Sequence, residues 1–142
     1  MSQADVDVVL QQFAATNARE FARAMDLYAD DVVLVVDSDW SIAAGTYEGK
    51  AAVGDWFGDW FRTFGADVHF EITDSRDLGA GLVYLYVEIE GSGRASGATT
   101  QMKTAYLYRV EDGLITRAGL FPDSADALEA AALPEWSKPV NG

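Results

Sequence analysis

The sequence predicts an α+β fold: helices gathered in the first 64 residues, then an antiparallel sheet, then a short closing helix. Three observations carry this. Apolar residues recur at helical spacing as far as Phe64, the pattern changes to period two after Gly65, and glycine-rich turns separate the long alternating segments that follow.

Val6, Val9, Leu10 and Phe13 define one face of a first helix, with Asp5 placed to cap it. A second helix follows the break at Asn17 and puts Phe21, Ala24, Met25 and Tyr28 on one side. The run V-V-L-V-V at 32–36 reads as a strand buried on both sides. From Gly49 to Phe64 a third helix gathers Val53, Trp56, Phe57, Trp60, Phe61 and Phe64 into a broad aromatic stripe. The segments 67–77, 81–91, 98–111 and 114–121 read as long strands, and E-D-G at 111–113 is a hairpin turn signal. Asp123 is placed as the N-cap of a last helix running to Leu133, where Pro134 stops it. No repeat or linker divides the chain, so residues 1–142 read as one domain, large enough to bury roughly 70% of its unfolded surface.

Composition narrows the function classes. Hydrophobic content of 49% with 12% aromatic residues argues for a packed globule. Ten basic against 23 acidic residues give a formal charge of −13, a field that repels nucleic-acid phosphates and anionic lipid. There is no cysteine, which excludes disulfides, thiolate metal sites and a cysteine nucleophile. The first residues, M-S-Q-A-D-V-D, are acidic where a signal peptide is basic, and no apolar run reaches about 18 residues. A cytoplasmic protein is the expectation.

The stretch D-S-D-W at 37–40 sits where the first strand ends. Residues 37–48 set acids at positions 1 and 3, Ser at 5 and Glu at 12, the spacing of a calcium loop. Ile42 stands where that loop needs glycine, and a strand rather than a helix precedes it, so calcium is not expected. Two readings stay open: a solvated loop whose aspartates bond their own backbone, or the rim of a pocket with Trp40 as part of its cover. His69, the single histidine, alternates with Val68 and Phe70 and reads as lying on the outer sheet face or at an oligomer contact. Arg117 reads as exposed or at an interface. Tyr84, Tyr86, Tyr106 and Tyr108 share sequence parity with Glu88, Met102 and Thr104, while Val83, Leu85, Val87 and Ile89 take the other parity. Both faces are thus partly apolar, which predicts a sheet covered on both sides.

The order of elements resembles the nuclear transport factor 2-like (ketosteroid isomerase-like) superfamily. The residues that carry the likeness are Y-A-D-D-V at 28–32, G-T-Y-E-G-K-A-A-V at 45–53, G-R-A-S-G at 93–97, R-V-E-D-G-L-I-T-R at 109–117 and S-A-D-A-L-E-A-A-A-L at 124–133. The last three look like the SnoaL-like branch. The resemblance implies a curved sheet wrapped around three N-terminal helices, a cone with an internal apolar pocket, and commonly a homodimer through the outer sheet face. Members include ketosteroid isomerases, polyketide cyclases, limonene epoxide hydrolases, dehydratases and non-enzymatic binding proteins, so the fold implies a container rather than one reaction.

Carried over by position, the isomerase base falls opposite Val36 or Asp37, the helix-one tyrosine near Gln12 or Phe13, and the oxyanion aspartate near Thr104. The last two positions lack an acidic donor, so steroid isomerisation is not expected. The hydrolase acid falls close to Gly119, and Asp123 beyond it is explained by capping. The resemblance therefore implies one of two roles. The first is a cofactor-independent cyclase, isomerase or dehydratase working by acid–base chemistry on an apolar polyketide-, terpenoid- or steroid-like compound. Asp37 or Asp39 would be its base and Tyr28 or Tyr106 its donors. The second is a binding or accessory protein that uses the same pocket without chemistry. Expected pocket residues are Phe13, Trp40, Trp56, Phe57, Trp60, Phe70, Met102, Thr104 and Phe121, with no metal. A carboxylate pointing into the cavity separates the two roles.

Overall fold

The structure, a computed structural model, describes residues 3–37, 44–64, 67–92 and 99–137. Helices α1 (Gln3–Asn17) and α2 (Phe21–Met25) lead into strands β1 (Tyr28–Val36) and β2 (Gly45–Glu48). Helix α3 (Lys50–Phe64) follows, then β3 (His69–Gly79), β4 (Leu82–Ser92), β5 (Thr99–Glu111) and β6 (Leu114–Phe121). The short helices α4 (Ser124–Ala131) and α5 (Pro134–Ser137) come last. The six strands form one curved, unclosed sheet in the order β2-β1-β6-β5-β4-β3. β3 to β6 make the antiparallel meander, and β1 joins it parallel to β6. Register shifts between Ile72 and Asp74 and between Asp77 and Gly79 mark bulges, which bend a sheet.

Several elements differ locally from the sequence expectation, each for a physical reason. Asp5 lies inside the first turn of α1 rather than at its cap, because the helix already runs from Gln3. Tyr28 is not the last residue of a helix. The five-residue α2 is too short to propagate on its own, and pairing with β6 captures the chain: Ile115 N–H donates to Leu27 O at 2.8 Å and Tyr28 lies opposite Ile115. Along 32–36 burial alternates: Val32, Leu34 and Val36 are buried while Val33 and Val35 are half-buried, so one face alone is core. Residues 45–48, which the sequence pattern assigns to no strand, pair with β1 as an edge strand. Asp123 does cap α4, accepting from Asp126 N–H at 2.9 Å. The helix ends before Pro134 as expected, at Ala131 rather than Leu133, and Pro134 then opens α5, using the first helical position, where a missing N–H has no consequence.

The register of β4 on β5 decides which side chains meet. Leu85 lies opposite Tyr106 and Val83 opposite Tyr108, so odd residues of β4 share a face with even residues of β5. The four tyrosines therefore divide, contrary to their common parity. Tyr106 and Tyr108 join Val83, Leu85, Val87 and Ile89 on the inner face, against α1 and α3. Tyr84 belongs with Leu107 and Ala105 on the outer face.

The apolar part of that outer face, around Tyr84, is covered by the chain itself. Ala127, Ala130 and Trp136 of α4 and α5 pack on Leu82, Tyr84, Leu107 and Phe121. Trp136 is fully buried, its carbonyl accepts from Arg109 Nη1 at 2.9 Å, and the Arg117 guanidinium lies 5.1 Å from its ring centre. Arg117 is thus half-buried against an internal helix. The bare apolar face that motivated the expected homodimer is closed by the C-terminal helices. His69 is exposed, as read from its alternation.

Candidate functional site

Between the inner sheet face and the helices lies a cavity of about 350 Å³, within the size range of small-molecule sites. α1 contributes Gln12, Phe13 and Thr16, placed on one face by their helical spacing. The α2 region contributes Phe21, Ala24 and Met25, and α3 contributes Trp56, Phe57, Trp60 and Phe61 with Gly54 and Gly58. The sheet supplies the floor: Tyr28, Phe70, Tyr106, Tyr108 and Leu120. Phe21 is 43% exposed and its ring lies 5.0 Å from that of Phe61, which sets the mouth beside α2 and α3.

The walls are aromatic and mutually braced. Tyr106 and Tyr108, two residues apart on one strand face, stack with centres 5.8 Å apart and planes 6° from parallel. Phe13 sets its ring edge-on to both, at 5.2 Å and 6.2 Å. Phe70 bridges Phe13, Trp60 and Phe61 at centre distances of 5.7, 5.7 and 6.0 Å. Such contacts favour flat apolar groups and hold the wall side chains in place.

Polar groups are few. Gln12 Nε2 donates to Thr16 Oγ1 at 3.0 Å, and Thr16 Oγ1 donates to the Gln12 carbonyl at 2.8 Å. Gln12 Oε1 and Tyr28 Oη are both buried and bond no protein group among the described residues. Burial pushes the Tyr28 phenol well above its ordinary range, with Tyr106 adding to the effect. Burial does the same to Tyr106, and to Tyr108 with help from its two neighbours. All three are therefore neutral hydrogen-bond donors at neutral pH and cannot serve as bases. Among the described residues lining the cavity there is no carboxylate, imidazole, amine or guanidinium. No cluster of three or more metal-ligating side chains occurs among the described residues.

The expected site residues divide as follows. Phe13, Tyr28, Trp56, Phe57, Trp60, Phe70 and Tyr106 come together in the lining. Met102 is half-buried and packs on the inner cluster, and Thr104 is fully buried opposite Val87, but neither lines the cavity. Phe121 faces away, in the outer cluster with Trp136. Asp37 is half-buried at the end of β1, its N–H donating to Leu120 O at 3.0 Å, so its backbone touches a lining residue while its side chain is not part of the wall. Asp39 and Trp40 lie outside the described residues. A side chain at position 119 could not act in the cavity either. A Cβ there would meet Phe121 and the Trp136 ring at 2.7 to 3.0 Å, on the outer side. Sequence reasoning left Thr16, Phe61, Tyr108 and Leu120 out of the site and gave Gln12 no role of its own. The available signal was a pair of polar residues, Gln12 and Thr16, four apart on the apolar face of Val9 and Phe13.

Helices closing one face of a curved six-stranded sheet, over an aromatic cavity, make an α+β fold shared with cystatin-like and nuclear transport factor 2-like structures. The model of the SnoaL-like domain matches residues 9–118, and the chain belongs to that family. Among solved structures it is similar to a nuclear transport factor 2-like protein of unknown function from Burkholderia pseudomallei (18% identity, 94% of this chain and 100% of that one, TM-score 0.73). It is also similar to a protein from Jannaschia sp. CCS1 described as a SnoaL-like polyketide cyclase (15% identity, 94% and 98%, TM-score 0.74). A third is TerC co-crystallised with polyporic acid (18% identity, 89% and 97%, TM-score 0.71). At these identities the likeness shows the fold alone. Comparison with curated proteins finds no significant match. No helix among the described residues is long and apolar enough to cross a membrane.

Proposed function

We propose that this protein binds an apolar, ring-bearing small molecule of polyketide-, terpenoid- or steroid-like shape and does not transform it. One observation carries this reading: the described lining holds no group that titrates near neutrality, and its three phenols are kept protonated by burial. General acid–base catalysis needs a group poised near the working pH, within hydrogen-bond reach of the substrate. The co-crystal of TerC with polyporic acid supports a small-molecule occupant for this fold. Residues 1–142 act in this reading as one cytoplasmic domain without a cofactor. A homodimer, if formed, would use surface other than the face that α4 and α5 cover. Calorimetric titration with a panel of apolar ring compounds tests the proposal. Binding with quantitative recovery of unchanged compound is expected, and conversion of a bound compound would sink it.

One observation favours a second, catalytic reading: the hydrogen bond from Asp37 N–H to Leu120 O holds a carboxylate-bearing residue at the edge of the cavity. There Asp37 or Asp39 would act as base with Tyr28 or Tyr106 as donor. Asp37→Asn and Asp39→Asn would then lower turnover by about 10² to 10⁴ with little change in binding.

A further inference from the structure

We infer that the cavity's occupant is a neutral ring compound carrying a hydrogen-bond donor for Gln12 Oε1 and an acceptor oxygen for the Tyr28 hydroxyl. This rests on the binding reading above and adds which polar groups the ligand bears and which residues read them.

The orientation of the Gln12 amide follows from proton counting. Thr16 has one hydroxyl proton, and its Oγ1 gives it to the Gln12 backbone carbonyl at 2.8 Å. Toward the Gln12 side chain, 3.0 Å away, Thr16 Oγ1 can then only accept. The amide nitrogen must face Thr16, and Oε1 is left as the outward group, an acceptor with no proton to offer. Gln12 is 7% exposed and Tyr28 1% exposed, both line the same cavity, and neither Oε1 nor Oη bonds a protein group among the described residues. A buried polar atom without a partner is unfavourable, so a ligand that supplies the partner gains over one of equal shape that does not.

The two atoms ask for opposite things. Oε1 accepts and needs an O–H or N–H, whereas the Tyr28 phenol keeps its proton and donates. An ionised ligand is disfavoured because the described lining offers neither a cation nor a carboxylate to pair with it, and an anion is further repelled by the chain's formal charge of −13. The aromatic walls supply the rest of the selection through the ring body.

Three probes of nearly one shape test this by calorimetric titration near neutral pH: 1-naphthol, which donates and accepts, 1-methoxynaphthalene, which only accepts, and naphthalene, which does neither. Wild-type protein should prefer each over the next by about three- to tenfold. Gln12→Leu should erase the preference for naphthol over the methyl ether. Tyr28→Phe should erase that for the ether over naphthalene. Equal affinity of the wild type for all three would overturn the inference while leaving a binding cavity in place. Binding of none would sink both. The wild-type series decides the matter even if a variant does not fold.

Discussion

The ring of Trp136 rests directly on the backbone of Gly119. A Cβ at position 119 would come within 2.9 Å of the ring carbon Cζ2 and 2.7 Å of Phe121 Cε2. Helix α5 holds its place because β6 presents no side chain there. Replacing Gly119 with Ala should push the indole off the sheet and destabilise the protein by about 1 to 3 kcal/mol. Denaturant titration reads the stability, and a shift of tryptophan emission reads the displaced ring. An unchanged midpoint would mean that α5 docks by other contacts.

Gln12→Leu keeps approximate volume while removing a buried acceptor that bonds no protein group among the described residues. Thr16 keeps its bond to the Gln12 backbone carbonyl, which survives the change. The ligand-free variant should therefore be more stable by about 1 kcal/mol, a few degrees in Tm. A fall in Tm would show that the amide supports the fold rather than the ligand.

Gly54 and Gly58 occupy successive turns of α3, and both line the cavity. Glycine inside a helix is less favourable than alanine by roughly 0.5 to 1 kcal/mol. Nothing steric requires it here, since an added Cβ would meet Met25 Cε at 3.7 Å and Arg62 Nη1 at 3.6 Å, ordinary contacts. Each Gly→Ala change should raise stability by about that amount. The methyls would also narrow the cavity and weaken binding of the probes. Improved stability with unchanged binding would remove any link between these glycines and the ligand.

The three raised phenols make stability fall in alkali. Tyr28, Tyr106 and Tyr108 hold their protons in the folded protein well above the ordinary value of 10.0, whereas in the unfolded chain they ionise near it. Their contribution is fully present below pH 10 and is lost as pH rises beyond it, because the unfolded state then releases protons that the folded state retains. Ultraviolet titration should show these phenols ionising together with loss of structure. Ordinary titration of all six tyrosines near pH 10 in the folded protein would contradict the burial.

Local structure was legible in the residues alone. Val6, Val9 and Phe13 recur at a spacing that needs a helix to share one face, and Asp123 offers a side-chain acceptor to the N–H of Asp126 whatever lies around it. The alternation after Gly65 likewise told strand from helix, because side-chain direction follows from backbone geometry a few residues long. The tertiary structure alone decided which faces meet. Parity within β4 and within β5 was legible, but their relative register was not, and that register sends Tyr106 and Tyr108 to the cavity and Tyr84 to the outer face. Tyr28 reads as helical until β6 captures it, and Gly119 reads as a vacant catalytic position until Trp136, seventeen residues later, lies down on it. The donor and acceptor left in the cavity arose the same way, from Gln12 on a helix and Tyr28 on a strand. Periodicity reports a residue's direction relative to its own backbone, whereas a site depends on directions relative to other segments, and those are set by long-range pairing and packing.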